Sequence, residues 1–250
     1  MFDQPVPSLI AVLLGALRLG PVFTFAPPFT LMRIPAAIRV LLAVALSAAM
    51  VGPVQNGAAL YDPSGIITVA AGELMLGIAM ALALQFAFAA IVIAGRALDI
   101  QAGFGLAFLI DPTTKAQTPL IGALFTYAAA AMFFATGGPA DLIATFAASF
   151  DRVPLGGGLP DASVRPMLAF FGTVSIFAMG VTGLAMLVLF LVDLVIATMS
   201  RTLPQMNVLV LGFQVKSMLA MVLLPLTLGL SGAVIVRIIR LALEAMLAVI

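Results

Sequence analysis

Residues 40–61, 74–95, 116–140, 166–192 and 217–236 form five stretches without a single charged side chain. Each matches the roughly 20 apolar residues that a helix needs to cross the hydrocarbon core of a bilayer. A sixth run, residues 9–31, is apolar but interrupted by Arg18, Pro21 and the Pro27-Pro28 pair. In lipid every backbone N–H and C=O must be satisfied within the protein, and a helix does this inside one segment. The pattern predicts an all-α integral membrane protein with about six apolar helices, several of them broken into helical hairpins. Only 8% of the 250 residues are charged, against roughly 25% in a soluble domain. Residues 1–250 therefore read as a single membrane domain with no soluble domain.

Composition also removes whole classes of chemistry. Cysteine and histidine are both absent, which excludes disulfides, His/Cys zinc sites and Ser-His or Cys-His catalytic pairs. A net charge of +1 with no basic run gives no footprint for nucleic acid. There is no P-loop, no HExxH and no GxGxxG after a strand. Tyr61-Asp62 matches half of an intramembrane aspartyl-protease signature, but GFGLAFLID does not supply the other half. The chain reads as a non-enzyme without a cofactor. Its start, MFDQPVPSLIAVLLGALRLG, lacks a basic n-region and carries Asp3 and two prolines before the apolar run. It reads as a retained first membrane segment rather than a cleaved leader.

Glycine and proline punctuate the chain at Pro35, Asn56-Gly57, residues 62–65, Asp111-Pro112, Gly137-Gly138-Pro139, residues 154–160 and Pro204, marking turns between helices. Residues 151–165 form the longest polar connection. Residues 166–200 are too long for one untilted span, whereas residues 100–110 are short, as in re-entrant or interfacial segments. Arginine and lysine show no clear majority side, so orientation is not specified.

Charges inside apolar segments are costly unless paired or facing a wet path, which singles out three constellations. The first is a polar island at residues 193–216. Pro204 disfavours helix at Leu203. If residues 203–207 turn a helical hairpin, Asp193 and Lys216 lie eleven and twelve residues from Pro204, each about 17 Å along its helix. They could then pair across the hairpin. Alternatively, Lys216 and Arg201 snorkel to an interface. The second is Arg96 and Asp99, whose i, i+3 spacing suggests a pair at a helix end. The third is QAGFGLAFLIDPTTKAQTP, residues 101–119. It combines Gly103 with Phe104, Leu106, Phe108 and Leu109, then turns polar at Asp111-Pro112. A non-helical apolar loop at membrane depth could obstruct a pore, although spacing alone favours a short interfacial helix. Met206, Met218 and Met221 cluster near the island; they could form a deformable seal, but core gap-filling is the better reading.

Three blocks, in order and nearly end to end, resemble the FliR family of flagellar export-gate membrane proteins and its virulence-secretion counterparts. The first carries Arg18, Pro21, Ala26, Pro27, Pro35 and Arg39. The second carries Glu73, Gly77, Gly95, Asp99, Gln101, Gly103, Asp111 and Pro112. The third and most specific carries Asp193, Arg201, Pro204, Gln205, Asn207, Gly212, Phe213 and Lys216. The resemblance implies assembly with FliP and FliQ homologues around an export pore in the bacterial inner membrane, at the flagellum basal body. It implies supply by FlhA and FlhB export components and passage of unfolded flagellar subunits. It also implies a short re-entrant-like plug loop at residues 103–119, with Gly103, Phe104, Leu106, Phe108, Leu109, Asp111 and Pro112 in it. The charges and turn residues Asp193, Arg201, Pro204, Gln205, Asn207 and Lys216 become structural elements that fix register. The chain departs from the family at Gly138-Pro139, where histidines are common, at Gln214, where proline is common, and at Arg96, where an acid is common. A small-solute secondary transporter is the alternative. Such proteins use internal repeats and midplane charges, and no convincing repeat between the halves is visible.

Overall fold

The computed structural model describes residues 5–32, 34–51, 63–104, 120–157, 164–202 and 208–248. Among them the regular structure is helical throughout. The helices are α1 (Pro5–Phe25), α2 (Pro27–Leu31), α3 (Ala36–Met50), α4 (Pro63–Gln101), α5 (Leu120–Ala135), α6 (Gly138–Arg152), α7 (Val164–Thr202) and α8 (Val208–Ala248). Three segments are long and apolar enough to cross a membrane, Gly65–Gln101, Arg165–Arg201 and Val210–Ala248. The bent pair α5/α6 makes a fourth if taken as one broken span. This is an all-α membrane protein.

The breaks follow local chemistry. Pro27 pushes Ala26 to an extended conformation (φ −70°, ψ 134°), which ends α1 and starts α2 on a proline. The exposed carbonyls at the end of α1 are not left bare. Arg39 Nη1 donates to Thr24 O at 2.6 Å and Gln85 Nε2 to Phe25 O at 2.7 Å. Gly137, at φ +85°, adopts the left-handed conformation that glycine alone takes freely, and α5 and α6 meet there at 72°.

The described helices divide between two compact units. The first takes α1–α3, α4 up to Ala87, the end of α5, α6, the start of α7 and the end of α8. Its core includes a run of aromatic rings, with Phe23 centred 4.8 Å from Phe29 and 5.7 Å from Phe146, and Phe29 6.2 Å from Phe133. The second takes α4 from Phe88, most of α5, and the α7/α8 hairpin from Gly172 to Ile238. Along α7, Val174, Ala178, Val181, Ala185 and Leu189 are buried at three- and four-residue spacing. On α8, Thr227, Ser231, Ile235 and Ile238 are buried in the same way, with Ala220 two turns before them. Small residues in both stripes let the backbones approach closely. The rungs run antiparallel: Ser231 Oγ donates to Val181 O at 3.1 Å, Lys216 pairs with Asp193, and Gly212 faces Ile196.

Two features differ from the sequence expectation. Helix α4 is 39 residues long, because Glu73, Arg96 and Asp99 lie inside the helix rather than ending it. Helix α6 matches none of the uncharged runs. Its apolar residues are interleaved with Asp141, Thr145, Ser149 and Arg152, which dilutes the hydropathy while leaving an apolar stripe.

Candidate functional site

Two charged clusters stand out, one in each unit. In the first, Arg18 of α1 and Glu73 of α4 form a two-pronged pair. Arg18 Nε donates to Glu73 Oε2 at 2.6 Å, and Nη2 donates to Oε1 at 3.0 Å. Nη1 donates to Ser149 O at 3.0 Å and Val153 O at 2.8 Å, so the same guanidinium takes up carbonyls at the C-terminus of α6. The amide of Gly156 donates to Glu73 Oε1 at 3.3 Å, and the Phe150 ring lies 4.6 Å from the guanidinium carbon. The close approach of α1 and α4 depends on Gly77, one turn beyond Glu73. A Cβ there would press into the backbone of Leu17 and Arg18. Both charged residues are almost fully buried, Arg18 at 0% and Glu73 at 3% exposure.

In the second unit the cluster gathers around the end of α4. The helix closes on Gly103 at φ +89°, with Gly103 N donating to Ile100 O at 3.1 Å and Phe104 N to Asp99 O at 3.0 Å. This is the paired hydrogen-bond arrangement of a glycine C-cap. The Asp99 carboxylate accepts from Ile121 N at 2.9 Å and Gly122 N at 3.2 Å. A residue of α4 thus caps the first turn of α5, where unpaired amides and the helix dipole favour an anion. Gly95 permits this closeness, since a Cβ there would lie 2.5 Å from Gly122 Cα. On the hairpin, Lys216 is ion-paired with Asp193, and Gln101 Nε2 donates to Asp193 Oδ2 at 3.0 Å. This pair is more open, with 37% of the Asp193 side chain and 20% of the Lys216 side chain exposed.

The structure brings Asp193, Lys216, Gln101, Asp99 and Gly103 into this one unit, with Phe213 against Gly103. The expected pairing of Arg96 with Asp99 is not what the helix makes. Arg96 is exposed, while Asp99 is buried with its oxygens already taken by the α5 amides. Phe104 follows the α4 cap, and Arg201 is exposed in the last turn of α7. Leu106, Phe108, Leu109, Asp111, Pro112, Pro204, Gln205 and Asn207 lie outside the described residues. Helix α8 runs unbroken through Gln214. Sequence reasoning missed the Arg18–Glu73 contact. The available signal was an arginine inside an apolar run, which demands an acid partner somewhere in the chain.

The fold and these clusters define an all-helical membrane protein that buries charge inside its subunit and leaves a long apolar hairpin largely uncovered. Residues 9–242 match the family model described as bacterial export proteins, family 1. The flagellar biosynthetic protein FliR of Bacillus subtilis (strain 168) is 29% identical over 241 residues, covering 94% of this chain and 93% of that protein. The FliR of Aquifex aeolicus (strain VF5) is 31% identical over 231 residues, covering 89% and 86%. Yop proteins translocation protein T of Yersinia pestis is 28% identical over 155 residues, covering 61% and 59%. The chain belongs to this family of bacterial export proteins, and it is a membrane component of type III protein export.

Proposed function

We propose that this chain is the FliR-type subunit of the flagellar export gate, working as one membrane domain in the bacterial inner membrane at the basal body. It assembles with FliP and FliQ homologues around a pore, receives unfolded flagellar subunits from FlhA and FlhB export components, and passes them across the membrane. The observation that carries this reading is the uncovered α7/α8 hairpin. Its two most apolar windows are about one-fifth buried, against 56% for that of α4. Ile176, Met218 and Met221 each expose more than 70% of their surface. A partly exposed ion pair on such a surface suits protein neighbours better than hydrocarbon alone. In the same reading the segment that leaves α4 at Gly103 obstructs the closed pore.

Co-purification in mild detergent tests the assembly. The chain should be recovered in a discrete complex with two membrane partners and be polydisperse when produced alone. A stable, monodisperse single subunit that binds neither partner would sink the proposal. Replacing residues 104–110 with Gly/Ser should preserve the complex but make it leak ions. A tight barrier in that assembled variant would count against the obstructing segment.

A further inference from the structure

The second unit holds more positive than negative charge. Among its described residues the cations are Arg96, Arg201, Lys216 and Arg237, and the acids are Asp99 and Asp193. Both acids are engaged. Asp99 holds the amides of α5, and Asp193 holds Lys216 and Gln101. Two of the other three cations have a local counterweight. Arg201 sits in the last turn of α7, where the helix dipole favours a cation. The Arg237 guanidinium carbon lies 4.8 Å from the centre of the Phe177 ring. Arg96 has neither. It lies before the last turn of α4, and no acid or aromatic ring among the described residues meets it.

Arg96 also stands in apolar company. Ala89, Ile93, Arg96 and Ile100 follow one another at three- and four-residue steps and fall within about 60° of the α4 circumference. Ile93 is 56% and Ile100 65% exposed, and Arg96 is exposed between them. The stripe lies within the Gly65–Gln101 segment that is long and apolar enough to cross a membrane. An arginine there is costly unless an acid or water meets it.

We propose that this face of α4 docks a membrane helix of a neighbouring subunit, and that the helix carries an aspartate or glutamate that pairs with Arg96 between apolar contacts to Ile93 and Ile100. Charge complementarity selects the occupant. Both described acids of the unit are already taken, and lipid hydrocarbon offers none. An arginine–carboxylate pair is two-pronged, so it fixes the register of the docked helix as well as holding it. The contact is made by α4, not by the α7/α8 hairpin, and it rests on the assembly with two membrane partners proposed above.

The test uses the complex of the chain with its two membrane partners in mild detergent, together with the level of the chain in the membrane. The photo-crosslinking residue p-benzoylphenylalanine in place of Ile93 or Ile100 should form an adduct with one partner, on a helix bearing an aspartate or glutamate within a turn of the adduct. Arg96→Gln should leave the chain at its wild-type level in the membrane. It should lower the recovered complex about tenfold or more, the scale of truncating one member of a desolvated charge pair. Arg96→Glu should lower it further, and lysine in place of the mapped acid should bring it back. Adducts confined to lipid, or to this chain itself, overturn the proposal, as does wild-type recovery of complex with Arg96→Gln. Loss of the Arg96→Gln chain from the membrane would assign the residue to the subunit's own folding and overturn it too, as would failure of the lysine to restore Arg96→Glu. If the unaltered chain forms no complex with the two partners, the assembly reading itself fails and takes this inference with it.

Discussion

Arg18 and Glu73 turn almost no surface outward, and the guanidinium spends its donors on a carboxylate and on two helix-terminal carbonyls. Asp193 and Lys216 form the same kind of ion pair with a third and a fifth of their side chains uncovered, steadied by one glutamine. The first arrangement ties α1, α4, the end of α6 and the Gly156 turn into one knot. The second joins two arms of a hairpin to the end of α4. A knot buried in this way has no capacity left for another molecule, so its value lies in specifying the unit's packing. An open pair on an apolar hairpin keeps a polar face available to whatever covers that hairpin.

The largest expected effect breaks the buried pair. Glu73→Ala leaves the Arg18 charge without its acid and should cost about 3–5 kcal/mol, the usual scale for an orphaned buried charge. Thermal unfolding in detergent, or the amount of protein that accumulates in the membrane, reads this out. The double variant R18M/E73L should recover much of the loss, because an apolar pair of similar bulk needs no desolvation of charge. A double variant as unstable as Glu73→Ala would mean that the carbonyl contacts of Arg18, not the ion pair, hold the knot. An intermediate effect comes from Gly77→Ala. Overpacking against the α1 backbone should cost about 1–3 kcal/mol and lower the unfolding midpoint. An unchanged midpoint would show that α1 can shift without loosening the knot.

The smallest effect belongs to the open pair. Lys216→Met should cost about 1 kcal/mol, as for ion pairs that water or headgroups can reach. Charge reversal is the sharper test. Either D193K or K216D alone should lower the yield of assembled complex, and the two together should restore it. If the double reversal is as poor as the singles, the pairing contributes nothing to the hairpin. A cost for Lys216→Met equal to that for Glu73→Ala would erase the distinction between the two clusters.

Much of this architecture is legible in the sequence, and the exceptions share a physical cause. Uncharged runs locate α3, α4, α5, α7 and α8, and proline and glycine mark the breaks at Pro35 and Gly137. Counting outward from Pro204 at a fixed helical rise makes Asp193 and Lys216 candidate partners, and the two residues do pair. Local spacing fails where a residue has a choice of partners. Arg96 and Asp99 are close enough to meet, but the unpaired amides of α5 lie on the buried side and take the carboxylate. The Arg18–Glu73 contact joins residues 55 positions apart, a separation that periodicity cannot bridge. Helix α6 escapes a hydropathy scan because its buried residues alternate with Asp141, Thr145 and Ser149.

The antiparallel rungs of α7 and α8 also say how this chain tolerates changes of length. Val181 stands opposite Ser231 and Asp193 opposite Lys216, so the register of the two described arms is fixed at two levels. One residue inserted in α7 between Val181 and Asp193 would move Asp193 by about 1.5 Å and 100° relative to the rung below it. The ion pair and the Gln101 contact, both made by Asp193, would be dismantled together. The hairpin therefore behaves as a vernier, intolerant of a single added residue along its arms.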